Sequence, residues 1–572
     1  MARSRKLCSN LLALLIGVLL VFALEGALRI ARVPAYTHMM RMRLLSGHPG
    51  HLWEGRSFGA PVFELQTDSS GVKVYSTSTE QAGLPIQTQS FPAKKGPSTR
   101  RVFCFGESSM YGVPYSNNVA TLSRWMQEFF DRACQDYRFE VINCGVSGID
   151  SYGIVEIARE CLQYEPDIFV VFSGHNERAR RPHTTRLAFF RGSRAGHSIR
   201  RVLAPSSRIY SVMARLFDKV AGPTPQDADA ALAGPPGLSP EEEEVRDRVT
   251  DFEFDCNLQE IADMARDHAV GLVLAAPCPN YRDWPAFDWR FGPDASQDQR
   301  RELMMMFWRA LSLLEANKPQ ASAIAFKELI GLRPDFSAFY FWLGRSYEEM
   351  GDTTLAKENY FKAIDKAIDT ASSGIGAGSS GQPGMPLAFQ VTMETRMTLG
   401  LRDTMEKAAA RNSVPFVDLF SVFEAESPNG LVGNNLIMDA CHPSLSAHKI
   451  AAKAILQKCQ ASGLIPPECN LDRFDQIMAQ FTEDDLSWLP PTVSEKEKEN
   501  WPRAKPEMTV QAYMSRVAEW LGDDCQLTHE FGRSAAWFRK GLELAPNQAS
   551  LQKKLDDVRR LMGETAAPAA RG

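Results

Sequence analysis

Five short apolar runs spaced along the middle of the chain limit its possible folds more than any other feature. They are RVFCF at 101–105, FEVIN at 139–143, DIFVVFS at 167–173, VGLVLAA at 270–276 and VPFVDL at 414–419. Each is short, nearly all apolar, and rich in β-branched or aromatic residues. A strand of a parallel sheet, buried on both faces, needs that composition. The stretches between the runs carry helical patterns. This alternation predicts an α/β domain of three layers, α/β/α. In open sheets of this kind, sites form at the carboxyl ends of the strands. The residues just after each run are therefore the ones to read for chemistry.

The chain has 572 residues, enough for several domains. It opens with Arg3, Arg5 and Lys6, followed by an apolar run at 11–24. A charged segment before an apolar one is the pattern of an export signal. The run alone is shorter than the roughly 20 residues of a spanning helix. Pairing of Glu25 with Arg29 at the interface would extend it through Ala27, Leu28 and Ile30. We expect residues 1–31 to form a signal-anchor; a cleaved signal peptide and a buried helix are the other readings. Either export reading puts the rest outside the cytoplasm, although arginines at 29, 32, 41 and 43 weaken a charge-based orientation. Residues 32–98 form a juxtamembrane region, and 99–296 begin the α/β domain.

Two segments interrupt the pattern. Residues 223–244 are rich in Pro, Ala, Gly and acid, and read as a mobile surface loop. Residues 372–386 are rich in Gly and Ser and read as a linker. Between them, 297–371 carry Tyr340, Leu343, Gly344, Tyr347, Gly351, Ala356, Tyr360 and Ala363. Those offsets match the tetratricopeptide (TPR) repeat, a helix–turn–helix of about 34 residues. Phe326 and Pro334 fit a preceding, degenerate repeat, and WFRKGLELAP at 537–546 fits the end of another within the C-terminal helical region, 461–572. Solenoids of this kind want three or more repeats. Repeats this few must lean on the α/β domain or on the C-terminal helices. The second part of the α/β domain is expected at 387–460.

Four segments after the apolar runs carry candidate chemistry. GESSMYG at 106–112 places Ser108 at a strand end, exposed, before a helix expected near Asn118. NCGVSG at 143–148 supplies glycines whose N–H can approach a reacting carbonyl. GHNE at 174–177 supplies the side-chain amide of Asn176, a second possible oxyanion donor. DACHP at 439–443 sets Asp439 and His442 three apart in a tight loop, where the carboxylate can fix the imidazole tautomer. Pro443 biases His442 toward extended backbone. Alone, each of these has an ordinary structural reading: a turn serine, a strand-to-helix turn, a helix cap, a loop pair.

Taken together, in this order and at these strand ends, they resemble the four blocks of the SGNH (GDSL-like) serine hydrolases. The resemblance covers about 99–180, 250–290 and 387–460. It implies a flavodoxin-like parallel sheet, Ser108 as nucleophile, Asp439 and His442 as its partners, and Gly148 and Asn176 as oxyanion donors. It implies acyl transfer on ester bonds, hydrolytic or, with a sugar hydroxyl in place of water, as an O-acyltransferase on a cell-envelope glycan. Two positions depart from the family pattern: Glu107 and Glu177 stand where it has Asp. Ser109, adjacent to Ser108, is the other candidate nucleophile.

The remaining signals are weaker. Trp284 and Trp289 could line a sugar- or acyl-binding wall or pack in the core. His448 reads as a helix-surface or packing residue, and Met304–Met306 as core filler. The 11 cysteines show no C-x-x-C pair and no zinc spacing, so they read as structural thiols with disulfides possible after export. The net charge of −5 argues against a nucleic-acid partner. We expect an ester or acylated-glycan substrate, a membrane contact through the N-terminal helix and a protein partner for the repeats. No metal and no organic cofactor is expected. A scaffold with a non-catalytic hydrolase fold is the competing reading from another class.

Overall fold

The computed structural model describes residues 2–31, 61–77, 86–115, 118–178, 206–213, 240–285, 296–367, 396–502 and 508–563, with isolated residues elsewhere. The expected loop 223–239, the linker 372–386 and Trp289 lie outside them. Residues 240–244, at the end of the expected loop stretch, open the helix Pro240–Asp267, as the acidic run Glu241–Glu244 suggests for a helix start.

Among the described residues, eight strands form two sheets. Strands β1 (Phe63–Thr67), β2 (Lys73–Thr77) and β3 (Ser90–Pro92) make a small antiparallel sheet. Strands β4 (Thr99–Gly106), β5 (Arg138–Gly145), β6 (Ile168–Phe172), β7 (Gly271–Ala276) and β8 (Phe416–Asp418) make the main sheet. Its order is β5-β4-β6-β7-β8, and every neighbouring pair is parallel. This is the flavodoxin-like order. All five apolar runs became its strands, for the reason that singled them out: Phe103, Cys104, Phe105, Phe169, Val170, Val273 and Ala275 are fully enclosed. Helices Leu122–Ala133 and Leu445–Ala461 pack together on one face, and Ser151–Cys161, Pro240–Asp267 and Leu399–Asn412 on the other. The chain is therefore an α/β protein of three layers.

The small sheet was not anticipated. It is fastened to β4 by Arg101, which is fully buried. The Arg101 guanidinium donates to Glu140 (2.7 Å), to the Tyr164 carbonyl (2.8 Å) and to the Pro92 carbonyl, and lies over the Phe91 ring.

Between β7 and helix Leu399–Asn412 the described residues include helices Gln297–Glu315, Pro319–Leu332, Ser337–Glu349 and Thr353–Lys366, each packed on the next. A Cβ on Gly344 would sit 2.9 Å from the Tyr360 ring, so only glycine lets that pair of helices come so close. The C-terminal helices Val510–Leu527, Phe531–Leu544 and Ala549–Leu561 repeat the arrangement, with Gly522 against Phe538. Although far apart in sequence, the two sets form one helical body. Arg301 pairs with Asp524 (2.7 Å) and Glu530 (2.8 Å), and aromatic contacts join Phe307 to Tyr513 and Trp308 to Trp537. Two ion pairs carry this body onto the α/β domain: Arg345 with Asp283 (3.5 Å) and Glu348 with Arg282 (2.7 Å). Met304 is buried and Met305 and Met306 pack beside it, as core filler.

At the N-terminus, helix Ala2–Ile30 exposes Leu15, Leu19, Leu20, Phe22 and Leu24. Glu25 pairs with Arg29 at 3.0 Å and accepts the backbone N–H groups of Arg208 (2.9 Å) and Ile209 (3.1 Å). Among the described residues no helix is long and apolar enough to cross a membrane. A disulfide joins Cys134 to Cys469. Eight further cysteines among the described residues take part in no disulfide.

Candidate active site

The site begins where β4 ends. A Cβ on Gly106 would lie 2.2 Å from the Phe172 carbonyl oxygen, so glycine is required for the strand to run this close to β6. The chain then makes one helical turn, Ser108–Tyr111, ended by Gly112 at φ +103°. The next helix starts at Leu122, capped by Thr121, rather than near Asn118. Ser108 is not exposed as the sequence suggested. It retains 8% of its surface, because the loop carrying His442 covers it.

That loop is pinched shut by its own backbone. Ile437 and Pro443 pair as an antiparallel bridge, the Met438 N–H donates to the His442 carbonyl (2.8 Å), and the Ser444 N–H donates to the Leu436 carbonyl (2.7 Å). Asp439 turns back into the loop. Its Oδ1 accepts the N–H groups of Cys441 and His442, both at 3.0 Å. Its Oδ2 is left for His442 Nδ1 at 2.7 Å, and His442 Nε2 lies 2.8 Å from Ser108 Oγ. The three candidate residues thus meet as one hydrogen-bonded relay, across 334 positions of sequence between Ser108 and His442. A serine so placed can lose its proton to the imidazole as it attacks a carbonyl.

The electrostatics fit that relay. Burial alone would raise the Asp439 carboxyl, but the adjacent imidazole and the two backbone donors outweigh it and hold the group at about 2. Burial opposes charge on His442, yet the Asp439 carboxylate beside it prevails and raises its pKa well above the ordinary value.

Ser109 takes another role. Its hydroxyl donates to the Cys441 carbonyl at 3.0 Å, tying the serine turn to the histidine loop. The sequence reading missed Asn280, which follows β7. Its N–H donates to the Ala440 carbonyl (3.0 Å), and its side chain donates to Ile437 (3.2 Å) and Asn434 (2.8 Å). A polar residue just past the run VGLVLAA was the available signal.

The other strand-end segments are tied together. Asn176 Nδ2 donates to the Ile149 carbonyl at 2.8 Å, which joins the loop after β6 to the loop holding Gly148 (φ +78°). Glu177 accepts the N–H (2.7 Å) and hydroxyl (2.9 Å) of Ser151, at the start of helix Ser151–Cys161. His175 Nδ1 accepts the Met397 N–H at 3.1 Å, and burial holds this ring neutral, at about 3. Trp284 is half-buried, and its carbonyl accepts from Arg396 at 2.6 Å. His448 is buried against Tyr115, a packing position and not a surface one.

Glu107 is the hub of the β4–β6 junction. It accepts from the Ser173 hydroxyl (2.8 Å) and from the N–H groups of Gly174 and His175 (3.0 Å each). Burial raises its carboxyl to about 7, with those donors offsetting only part of the effect. Between its ordinary value of 4.5 and about 7 the unfolded chain releases this proton first, so this group removes stability as pH rises. The expected loss is about 3 kcal/mol across that window. Urea midpoints against pH should carry this decline in the wild type and lack it in Glu107→Gln. Equal slopes in the two proteins would dismiss it.

No protein-family model and no curated protein matches the chain. Among solved structures it is similar to a GDSL-like lipase of Bacteroides thetaiotaomicron, at 12% identity over 64% of this chain and 89% of that one, with a TM-score of 0.24. It is also similar to a putative acylhydrolase of Bacteroides fragilis, at 13% identity over 68% of this chain and 94% of that one, with a TM-score of 0.26. At such scores neither neighbour bears on what this chain does.

Proposed function

We propose that the protein is a serine esterase or deacylase that cleaves ester bonds through an acyl-enzyme. The relay from Ser108 through His442 to Asp439, with contacts of 2.8 and 2.7 Å, carries this reading. Ser108 Oγ attacks the ester carbonyl while its proton passes to His442 Nε2. The imidazolium returns that proton to the departing alkoxide. His442 then deprotonates a water, which releases the acid. Asp439 remains ionised throughout and steadies the imidazolium. The Ser108 and Gly148 N–H groups and Asn176 are the proposed oxyanion donors, each worth about 10²–10³ in turnover.

A second reading is an O-acyltransferase, in which a glycan hydroxyl takes the place of that water. The non-catalytic scaffold reading is disfavoured by the assembled relay. The reading places the catalytic domain outside the cytoplasm, held to the membrane by helix Ala2–Ile30. The exposed apolar side chains of that helix support the anchoring, and the Cys134–Cys469 disulfide supports an oxidising compartment. The joined helical body is the proposed seat of a protein partner.

The test is labelling of the full chain, in detergent, by a serine-reactive fluorophosphonate. Wild type and Ser109→Ala are expected to label, and Ser108→Ala is not. Loss confined to Ser109→Ala would move the nucleophile by one residue. A folded wild type that never labels would overturn the proposal.

A further inference from the structure

We propose that the histidine loop is also a binding site for a soft divalent cation such as zinc, held by Asp439, Cys441 and His442, and that occupancy silences Ser108. One ligand atom from each of these residues lies within 4.8 Å of the others, and all three residues are buried. Carboxylate, thiolate and imidazole are the donors that zinc selects. Bonds of about 2.0–2.3 Å in a tetrahedron set ligand atoms roughly 3.3–3.8 Å apart. To reach that range the Nδ1–Oδ2 pair, now at 2.7 Å, must open, and any pair near the 4.8 Å limit must close. The fourth position falls to water.

The loop is prepared for this role in two ways. Asp439 Oδ1 is occupied by the N–H groups of Cys441 and His442, so Oδ2 is the oxygen presented to a metal, and the carboxylate is already oriented. The charges also balance. The Cys441 thiol gives up its proton, as does His442 Nδ1. A dication on one thiolate, one carboxylate and a neutral imidazole then leaves no net charge in a buried place. No step proposed for ester cleavage uses the Cys441 thiol.

Inhibition follows from the tautomer. His442 Nδ1 faces Asp439 Oδ2 at 2.7 Å, so a metal entering between them takes Nδ1. The one remaining ring proton must then sit on Nε2, 2.8 Å from Ser108 Oγ. A protonated Nε2 donates to the serine and cannot accept its proton. The loss of activity rests on the triad reading above, whereas the binding of metal does not.

The experiment uses the full chain in detergent, with cobalt(II) as the spectroscopic probe and zinc as competitor. The wild type is expected to develop a thiolate-to-cobalt charge-transfer band saturating at one equivalent. Zinc should abolish that band and suppress fluorophosphonate labelling in parallel. Cys441→Ser should lack the band and, measured against its own metal-free labelling rate, need at least tenfold more zinc for suppression. Cys441→Ala repeats the test if the serine variant does not fold. A wild type with no band overturns the proposal, as does a band, or a zinc sensitivity, that survives loss of the thiol. If the metal-free wild type never labels, the triad reading fails, and the cobalt band still decides the metal site.

Discussion

Asp439→Asn is expected to lower turnover about 10⁴-fold while leaving the protein folded. The reason lies in how the carboxylate is used. Two backbone N–H groups, from Cys441 and His442, both end on Oδ1 and demand an acceptor there. An asparagine must therefore place its oxygen at that position and turn its NH₂ toward His442 Nδ1. The ring then carries its proton on Nε2, facing Ser108, and cannot act as base. The pH profile should change as well. In the wild type, kcat/KM is expected to rise with pH as His442 deprotonates, with a midpoint above the ordinary 6.5, because the Asp439 carboxylate raises that pKa. Without the negative charge the midpoint should fall. A variant that keeps more than a tenth of wild-type turnover, with an unmoved midpoint, would show that Asp439 does not orient the base.

Arg101→Met is expected to cost about 3–5 kcal/mol of stability, the usual result of removing one partner of a buried ion pair. Methionine fills much of the same volume but leaves Glu140 charged at the sheet edge, and two carbonyls, of Tyr164 and Pro92, without their donor. The effect should be uneven in space. Arg101 fastens the small sheet to the main one, so limited proteolysis is expected to open the region 61–92 first. Adding Glu140→Met should restore part of the loss, since replacing both ions by apolar groups is often neutral. A urea midpoint shifted by less than the equivalent of about 1 kcal/mol would mean the guanidinium is not holding these elements together.

The main sheet was readable because a strand covered on both faces cannot hide its composition: nothing between Val102 and Phe105 tolerates a polar side chain. The small sheet could not be read in the same way. In β1 the side chains run from buried Phe63 to exposed Thr67 with no clean alternation, and its pairing with β2 depends on neighbours supplied by the rest of the fold. Asp439 and His442 were legible because a three-residue spacing needs only local geometry to bring them together. The covering of Ser108 by that loop was not, because it depends on contacts 334 positions apart. Glu107 looked like a deviation from a motif. In place, its longer side chain spans from β4 to three donors at the end of β6, and that reach is invisible in a linear sequence. The helical pieces at 297–366 and 510–561 each looked too short to stand alone, and the charges and rings that join them are dispersed among ordinary surface patterns.

The order in which the chain is made gives the split site a temporal meaning. When Ser108 leaves the ribosome, His442, its proposed base, is more than 300 residues behind it. All five strands of the main sheet and the whole helical insert are complete before His442 appears. Under the proposed function, a nascent or truncated chain would carry a serine with no means of activation, unable to acylate itself or attack nearby esters. The partner of Cys134 emerges later still, at Cys469. Reactivity is withheld by chain order until synthesis has passed the last element the site requires.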